Sequence, residues 1–186
     1  MTEESLRPVP GNALLMAGYA GLHGTRIILE RKREELLGRF TPEFLASAEE
    51  AAEWEMPDAA AFLETLPGVT NVTPLKEGGF YQGLWAFMKT GRCGIRADLQ
   101  AVPIRQETVE VCEFFGGNPY RLDSEGCVIA AAADSGPVVE ACREAGIVIS
   151  VIGEVRPAPE KTVYRDGEPF FLERVKRPFL EELGFR

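Results

Sequence analysis

Donors for a thiolate or imidazole metal site are scarce. The chain has one histidine, His23, and four cysteines, Cys93, Cys112, Cys127 and Cys142, with no C-x-x-C spacing among them. A Cys/His zinc site needs several such donors at close spacing, so no metal is expected. Isolated cysteines of this kind read as separate reduced thiols. Long apolar runs are also missing. The longest stretches, such as residues 127–133, are too short to cross a bilayer. The first residues, Met1-Thr2-Glu3-Glu4-Ser5, are acidic where a secretory leader is basic, so a cytoplasmic location is expected. Basic charge is in deficit: 20 Lys and Arg against 29 Asp and Glu leave a net charge of −9. That balance argues against a nucleic-acid partner and against an anionic membrane surface, both of which recruit basic faces.

What is present suits one globular domain. The 186 residues are 45% hydrophobic and 26% charged, ordinary values for a chain that buries a sizeable core. Residues 1–10, with Pro8 and Pro10, read as a lead-in, 11–175 as the domain, and 176–186 as a tail. Residues 14–20 are small and apolar and predict a strand, with a helix from Arg26 whose charge run at 30–35 is a solvated face. Thr41 and Asp58 stand where N-caps belong, Pro42 suits a first helical position, and Pro67-Gly68 stops the second of these two helices. Phe44, Leu45, Ala48 and Ala52, with Trp54 and Met56, form a buried stripe. Strands are predicted over 69–75, 95–102, 127–133 and 147–155. Helices are predicted over 80–89 and 104–115, and a further one is expected to be capped by Ser135 and to end at Ala145. Residues 162–172 alternate about Asp166-Gly167, a strong hairpin signal. No internal repeat interrupts this order. Strands and helices intermix, which predicts an α+β (layered α/β) fold, a mixed sheet with helices packed on it.

Gly78-Gly79 is the best chemical signal. A Gly-Gly turn ahead of a helix frees backbone amides, and the helix dipole favours an anion there. Gly78, Gly79, Phe80 and Tyr81 are therefore candidates for holding a phosphate, with Lys76 adding charge. Replacing Gly79 by a larger residue is expected to remove binding and spare folding. The plainer reading is that the glycines only permit a tight turn and close packing. His23 beside Gly24-Thr25 is either a general base or a turn residue, with no second histidine to support it. Ser124-Glu125 lacks a histidine partner in sequence, so a serine triad is not indicated. Trp85, Phe87 and Met88 at helical spacing read as core.

Six segments in order resemble one family. They are Met16-Ala17-Gly18-Tyr19-Ala20-Gly21-Leu22-His23-Gly24-Thr25, Gly78-Gly79-Phe80-Tyr81-Gln82-Gly83-Leu84-Trp85, the Gly91 to Ala97 entry, Pro103-Ile104-Arg105-Gln106-Glu107-Thr108, Ser124-Glu125-Gly126, and Ala145-Gly146-Ile147 followed by Val151-Ile152-Gly153-Glu154-Val155. Each is weak alone. Together, over residues 11–175, they resemble the C-terminal domain of the aminoimidazole ribonucleotide synthase superfamily. That superfamily also holds the hydrogenase-maturation dehydratase, selenophosphate synthetase and thiamine-monophosphate kinase, and the hydrogenase-maturation-factor-like members look most similar. The resemblance implies a domain that closes a cleft over ATP and magnesium held mostly by another domain. It makes Glu77, Ser124, Glu125 and Gly126 cleft candidates.

The chain departs from the family where chemistry matters. The family's H-D-x-T-x-G-G pattern is here Thr73-Pro74-Leu75-Lys76-Glu77-Gly78-Gly79, with Pro74 in place of the acid, and proline neither binds metal nor accepts a proton. The dehydratase's C-terminal cysteine is missing from Glu181-Glu182-Leu183-Gly184-Phe185-Arg186. Three expectations follow. The chain is a phosphate- or nucleotide-binding accessory domain without autonomous catalysis, standing free of the ATP-binding half. Alternatively it is the C-terminal half of a split enzyme, using ATP or magnesium only with a separate ATP-binding subunit. Alternatively it is a protein-interaction module that covers its apolar face by self-association.

Overall fold

The computed structural model describes residues 7–185. Residues 1–6 of the predicted lead-in and the last residue of the predicted tail lie outside the described residues. The element order is β1 (Ala13–Ala17), α1 (Leu22–Leu36), α2 (Pro42–Ala52), α3 (Ala59–Thr65), β2 (Val69–Pro74), α4 (Gly79–Gly91), β3 (Gly94–Asp98), α5 (Gln106–Phe114), β4 (Val128–Ala132), α6 (Ser135–Glu144), β5 (Ile149–Arg156), β6 (Lys161–Arg165), β7 (Glu168–Phe171) and α7 (Phe179–Glu182). The seven strands form one sheet in the order β2-β4-β1-β5-β3-β6-β7. Among the described residues the β3/β6 pair is parallel and the other five pairs run antiparallel. The expected α+β fold with a mixed sheet is thus the fold observed.

Two-residue alternation sorts β1 and β4 between two cores. Leu14, Met16, Ile129 and Ala131 join Phe80, Tyr81, Leu84 and Phe87 of α4 on one face. Leu15, Ala17, Ala130 and Ala132 join Ala59 and Leu63 of α3 and Val138 and Cys142 of α6 on the other. Strands β1 and β4 are buried on both faces, which is why β4 reads as an unbroken apolar run. A third cluster gathers α1, α2 and α5 around Ile28, Leu45, Ala48 and Val111. The edge strands β2 and β7 each carry a proline, Pro74 and Pro169, where no ladder amide is needed.

Local signals account for most boundaries. Thr41 caps α2 by accepting from the Phe44 amide, and Asp58 caps α3 by accepting from the Ala61 amide. Asp166 and Gly167, both at positive φ, turn β6 into β7. Four expectations shift. α1 begins at Leu22 rather than Arg26, because Gly21 at φ 74 supplies its left-handed start. The third strand stops at Asp98, whose carboxylate accepts from the Gln100 amide and turns residues 99–101 into a 3₁₀ turn. α5 begins at Gln106. Asp134, not Ser135, caps α6 by accepting from the Gly136 amide.

Candidate functional site

The loop from Pro119 to Cys127 sits between the N-termini of α1 and α4, and three glycines let it approach both. A Cβ on Gly24 would lie 2.5 Å from Leu122 Cγ, and one on Gly21 would lie 3.1 Å from the Pro119 carbonyl oxygen. On the other side, a Cβ on Gly79 would lie 2.2 Å from the Leu122 carbonyl oxygen and 2.9 Å from that of Tyr120. Polar bonds fix the loop further. The Gly21 amide donates to Ser124 Oγ at 2.9 Å, Ser124 Oγ donates to the Leu122 carbonyl at 3.0 Å, and the Gly24 amide donates to the Asp123 carbonyl at 3.0 Å.

That anchoring delivers two carboxylates to His23. Asp123 is nearly buried, and its Oδ1 accepts from the Glu125 amide at 2.9 Å. Its Oδ2 lies 3.4 Å from His23 Nδ1, and Glu125 Oε2 lies 3.9 Å from the same nitrogen. The first distance is within ion-pair reach but off hydrogen-bond alignment, and Nδ1 is a buried atom with no hydrogen-bond partner among the described residues. Asp123 raises the His23 pKa above its ordinary value, against the opposing effect of burial, and Glu125 adds to the rise. Burial pulls Asp123 upward, but His23 and the Glu125 amide outweigh it and hold that carboxyl below its usual range. The donor atoms of His23, Asp123 and Glu125 lie within 4.8 Å of one another, a spacing compatible with a cation. The protonated imidazole itself is a cation that these carboxylates satisfy.

His23 and Glu125 open into a cavity of about 490 Å³ beside α1. Tyr19 and Trp54 line one wall, edge to face at 4.9 Å, and Arg105 lies over the Tyr19 ring at 4.4 Å. Arg26 supplies a further cation, while Glu55 and Asp58 add acid to the rim. Cys127 lines the cavity too, but its thiol donates to the Tyr19 carbonyl, and burial pushes its pKa up to about 12. It is held as a thiol, not a thiolate.

The residues singled out from sequence part into two places. Glu125 and Gly126 line the cavity with His23. Ser124 is fully buried, and its hydroxyl is occupied in holding the loop. Lys76 and Glu77 are exposed on the turn before α4, away from that cavity. Gly78 and Gly79 take positive φ of 83 and 64, and Phe80 and Tyr81 bury their rings in the core. The amides of Phe80 and Tyr81 have no hydrogen-bond acceptor among the described residues. The carbonyl oxygens of Tyr120 and Leu122 crowd the place where a Gly79 side chain would start. The expectation that a larger residue at Gly79 spares folding is therefore corrected: that position has no room for a side chain. Asp123, Arg26 and Tyr19 were missed as site residues, and Trp54 was read only as part of a buried stripe. The sole local signal for Asp123 is its place beside Ser124-Glu125-Gly126, because about a hundred residues separate it from His23.

Comparison with known proteins bears on this arrangement. The family model described as AIR synthase related protein, C-terminal domain, matches residues 9–166. The chain is similar to carbamoyl dehydratase HypE of Cupriavidus necator, with 30% identity over 171 residues, 90% of this chain and 44% of that protein. It thus spans less than half the length of that relative. The fold is similar to a crystal structure of E. coli HypE, with a TM-score of 0.69 and 22% identity over 94% of this chain and 53% of the other. It is also similar to a HypE structure in complex with ATP, with a TM-score of 0.66 and 19% identity over 94% of this chain and 53% of the other.

Proposed function

This chain belongs to the AIR synthase-related family through its C-terminal domain, and from that premise we propose that it is a hydrogenase-maturation-factor-like accessory domain that binds a phosphate-bearing ligand of the nucleotide type without completing a reaction alone. The observation that carries this reading is the cavity beside α1, where His23, Arg26 and Glu125 converge next to the Tyr19–Trp54 wall. The cavity has two electrostatic sides. Arg26 and the imidazole of His23, whose pKa is raised, suit a phosphate. Glu55, Asp58 and Glu125 accept from hydroxyl or amine groups and repel a bare anion. A nucleoside monophosphate presents both kinds of group, with an aromatic base for Tyr19 and Trp54; inorganic phosphate presents one.

Two observations support binding without autonomous catalysis. Ser124 Oγ is tied to the loop backbone, and the Cys127 thiol is held protonated. Neither is an activated nucleophile. A second reading has the domain completing an ATP-dependent site with an ATP-binding polypeptide. Its support is the fold shared with the ATP-bound HypE structure.

Titration calorimetry with AMP, ATP and inorganic phosphate tests the proposal. AMP should bind, phosphate should bind more weakly, and Arg26→Gln should weaken AMP roughly tenfold, the loss of a charge-assisted bond of about 1.5 kcal/mol. No heat and no thermal stabilisation with all three ligands would refute it. For the second reading, ATP should bind only when the ATP-binding polypeptide is added.

A further inference from the structure

The exposed side of α4 borders a groove of about 740 Å³ that shares no residue with the cavity beside α1. Its charged lining residues are Lys89, Arg92, Lys161 and Arg174, all cations, in a chain whose net charge is −9. None of the four forms an ion pair among the described residues. Two of them crowd one ring: Lys161 Nζ lies 4.8 Å and the Arg174 guanidinium 4.7 Å from the centre of Trp85. The Trp85 indole N–H donates to the Glu173 carbonyl at 2.8 Å, which fixes the ring between them. The ring quadrupole attracts each cation, but the cations repel one another, so the arrangement is completed by anions. The floor is apolar, from Ala86 and Met88 on α4 and from Pro159 and Val175 opposite.

We propose that this groove docks an acidic peptide segment of a partner protein, with carboxylates on the four cations and apolar side chains on the floor around Trp85. Charge complementarity selects the occupant. A lone phosphate engages one or two of the cations and leaves the apolar floor in water. A nucleic acid would meet the acidic remainder of the chain. An extended segment that alternates Glu or Asp with Leu or Phe satisfies both the cations and the floor.

The test is a random-peptide display selection on the full chain, run in parallel on the Lys161→Glu/Arg174→Glu double variant, with circular dichroism and thermal melts confirming that both are folded. The expected result is enrichment of peptides that intersperse acidic and apolar residues on the unmodified chain and their loss on the variant. A selected peptide should also bind roughly tenfold or more weakly to the variant, and more weakly at high salt. Trp85 emission in a Trp54→Phe background follows binding directly. No acidic enrichment, or enrichment that survives the charge reversal, overturns the proposal. Saturation of Trp85 emission by inorganic phosphate or ATP at the affinity of the peptide overturns it in favour of a small-anion site. If the variant is unfolded, Lys89→Glu/Arg92→Glu replaces it with the same expected and overturning results.

Discussion

Gly79→Ala is the perturbation most tightly specified by the structure. The new methyl would start 2.2 Å from the Leu122 carbonyl oxygen, 2.9 Å from that of Tyr120 and 3.0 Å from the Arg121 carbonyl carbon, all backbone atoms with no flexible end to swing aside. Alanine at φ 64 costs about 1–2 kcal/mol for the left-handed backbone alone. Displacing the 120–122 backbone adds about 1–3 kcal/mol of overpacking. The sum of about 2–5 kcal/mol is a large part of the roughly 5–15 kcal/mol that holds a domain together. Gly116→Ala is the control, because Gly116 has a similar φ of 69 and open space where its Cβ would go. It should lose only the backbone part. Urea unfolding followed by circular dichroism should place Gly79→Ala about 1–3 kcal/mol below Gly116→Ala. The displaced loop carries Asp123 and Glu125, so the same variant should lower the His23 pKa and weaken AMP binding. If the two alanine variants unfold within about 0.5 kcal/mol of each other, the loop is not clamped by Gly79.

Other expectations rest on single groups. His23 is the only histidine, so its imidazole resonances titrate without overlap. Its midpoint should lie above 6.5, and Asp123→Asn should lower it; a midpoint at or below 6.5 in the unmodified chain would refute the pairing. By linkage, the His23 contribution to stability is fully present below its ordinary pKa and is lost as pH rises through its raised folded value. The Asp123 contribution is present above the ordinary carboxylate value and is lost as pH falls through its lowered folded value. The pair therefore stabilises most between those limits, and Asp123→Asn should flatten the pH profile there. Cys112 and Cys127 are buried, with pKa values pushed up to about 12, so they should resist alkylation at pH 8 until denaturant opens the fold. Rapid labelling of Cys127 in the native chain would contradict its burial.

Much of the architecture was legible because its causes are local. The Asp166-Gly167 turn announced the β6–β7 hairpin, Thr41 and Asp58 announced two helix starts, and the continuous apolar run at residues 127–133 announced the buried strand found at Val128–Ala132. Motif order over most of the chain pointed to the family, since each glycine-led segment encodes a turn that the shared fold requires. Element ends were less legible where a competing side-chain bond decided them, as at Asp98 and Asp134.

The site divides along the same line. Gly78-Gly79 stood out in sequence as a turn and Ser124-Glu125-Gly126 through the family resemblance, but neither states what packs against it. Only the tertiary structure placed the Leu122 carbonyl over Gly79, spent the Ser124 hydroxyl on the loop, and brought Asp123 to His23 across the chain. It likewise gathered Lys89, Arg92, Lys161 and Arg174 around Trp85 from three separate segments. Backbone turns and alternation follow from residue type within a few positions, so the sequence by itself determined the elements and their family order. Distances between side chains from distant segments follow from how the sheet and helices close on one another, and the closed fold alone decided them.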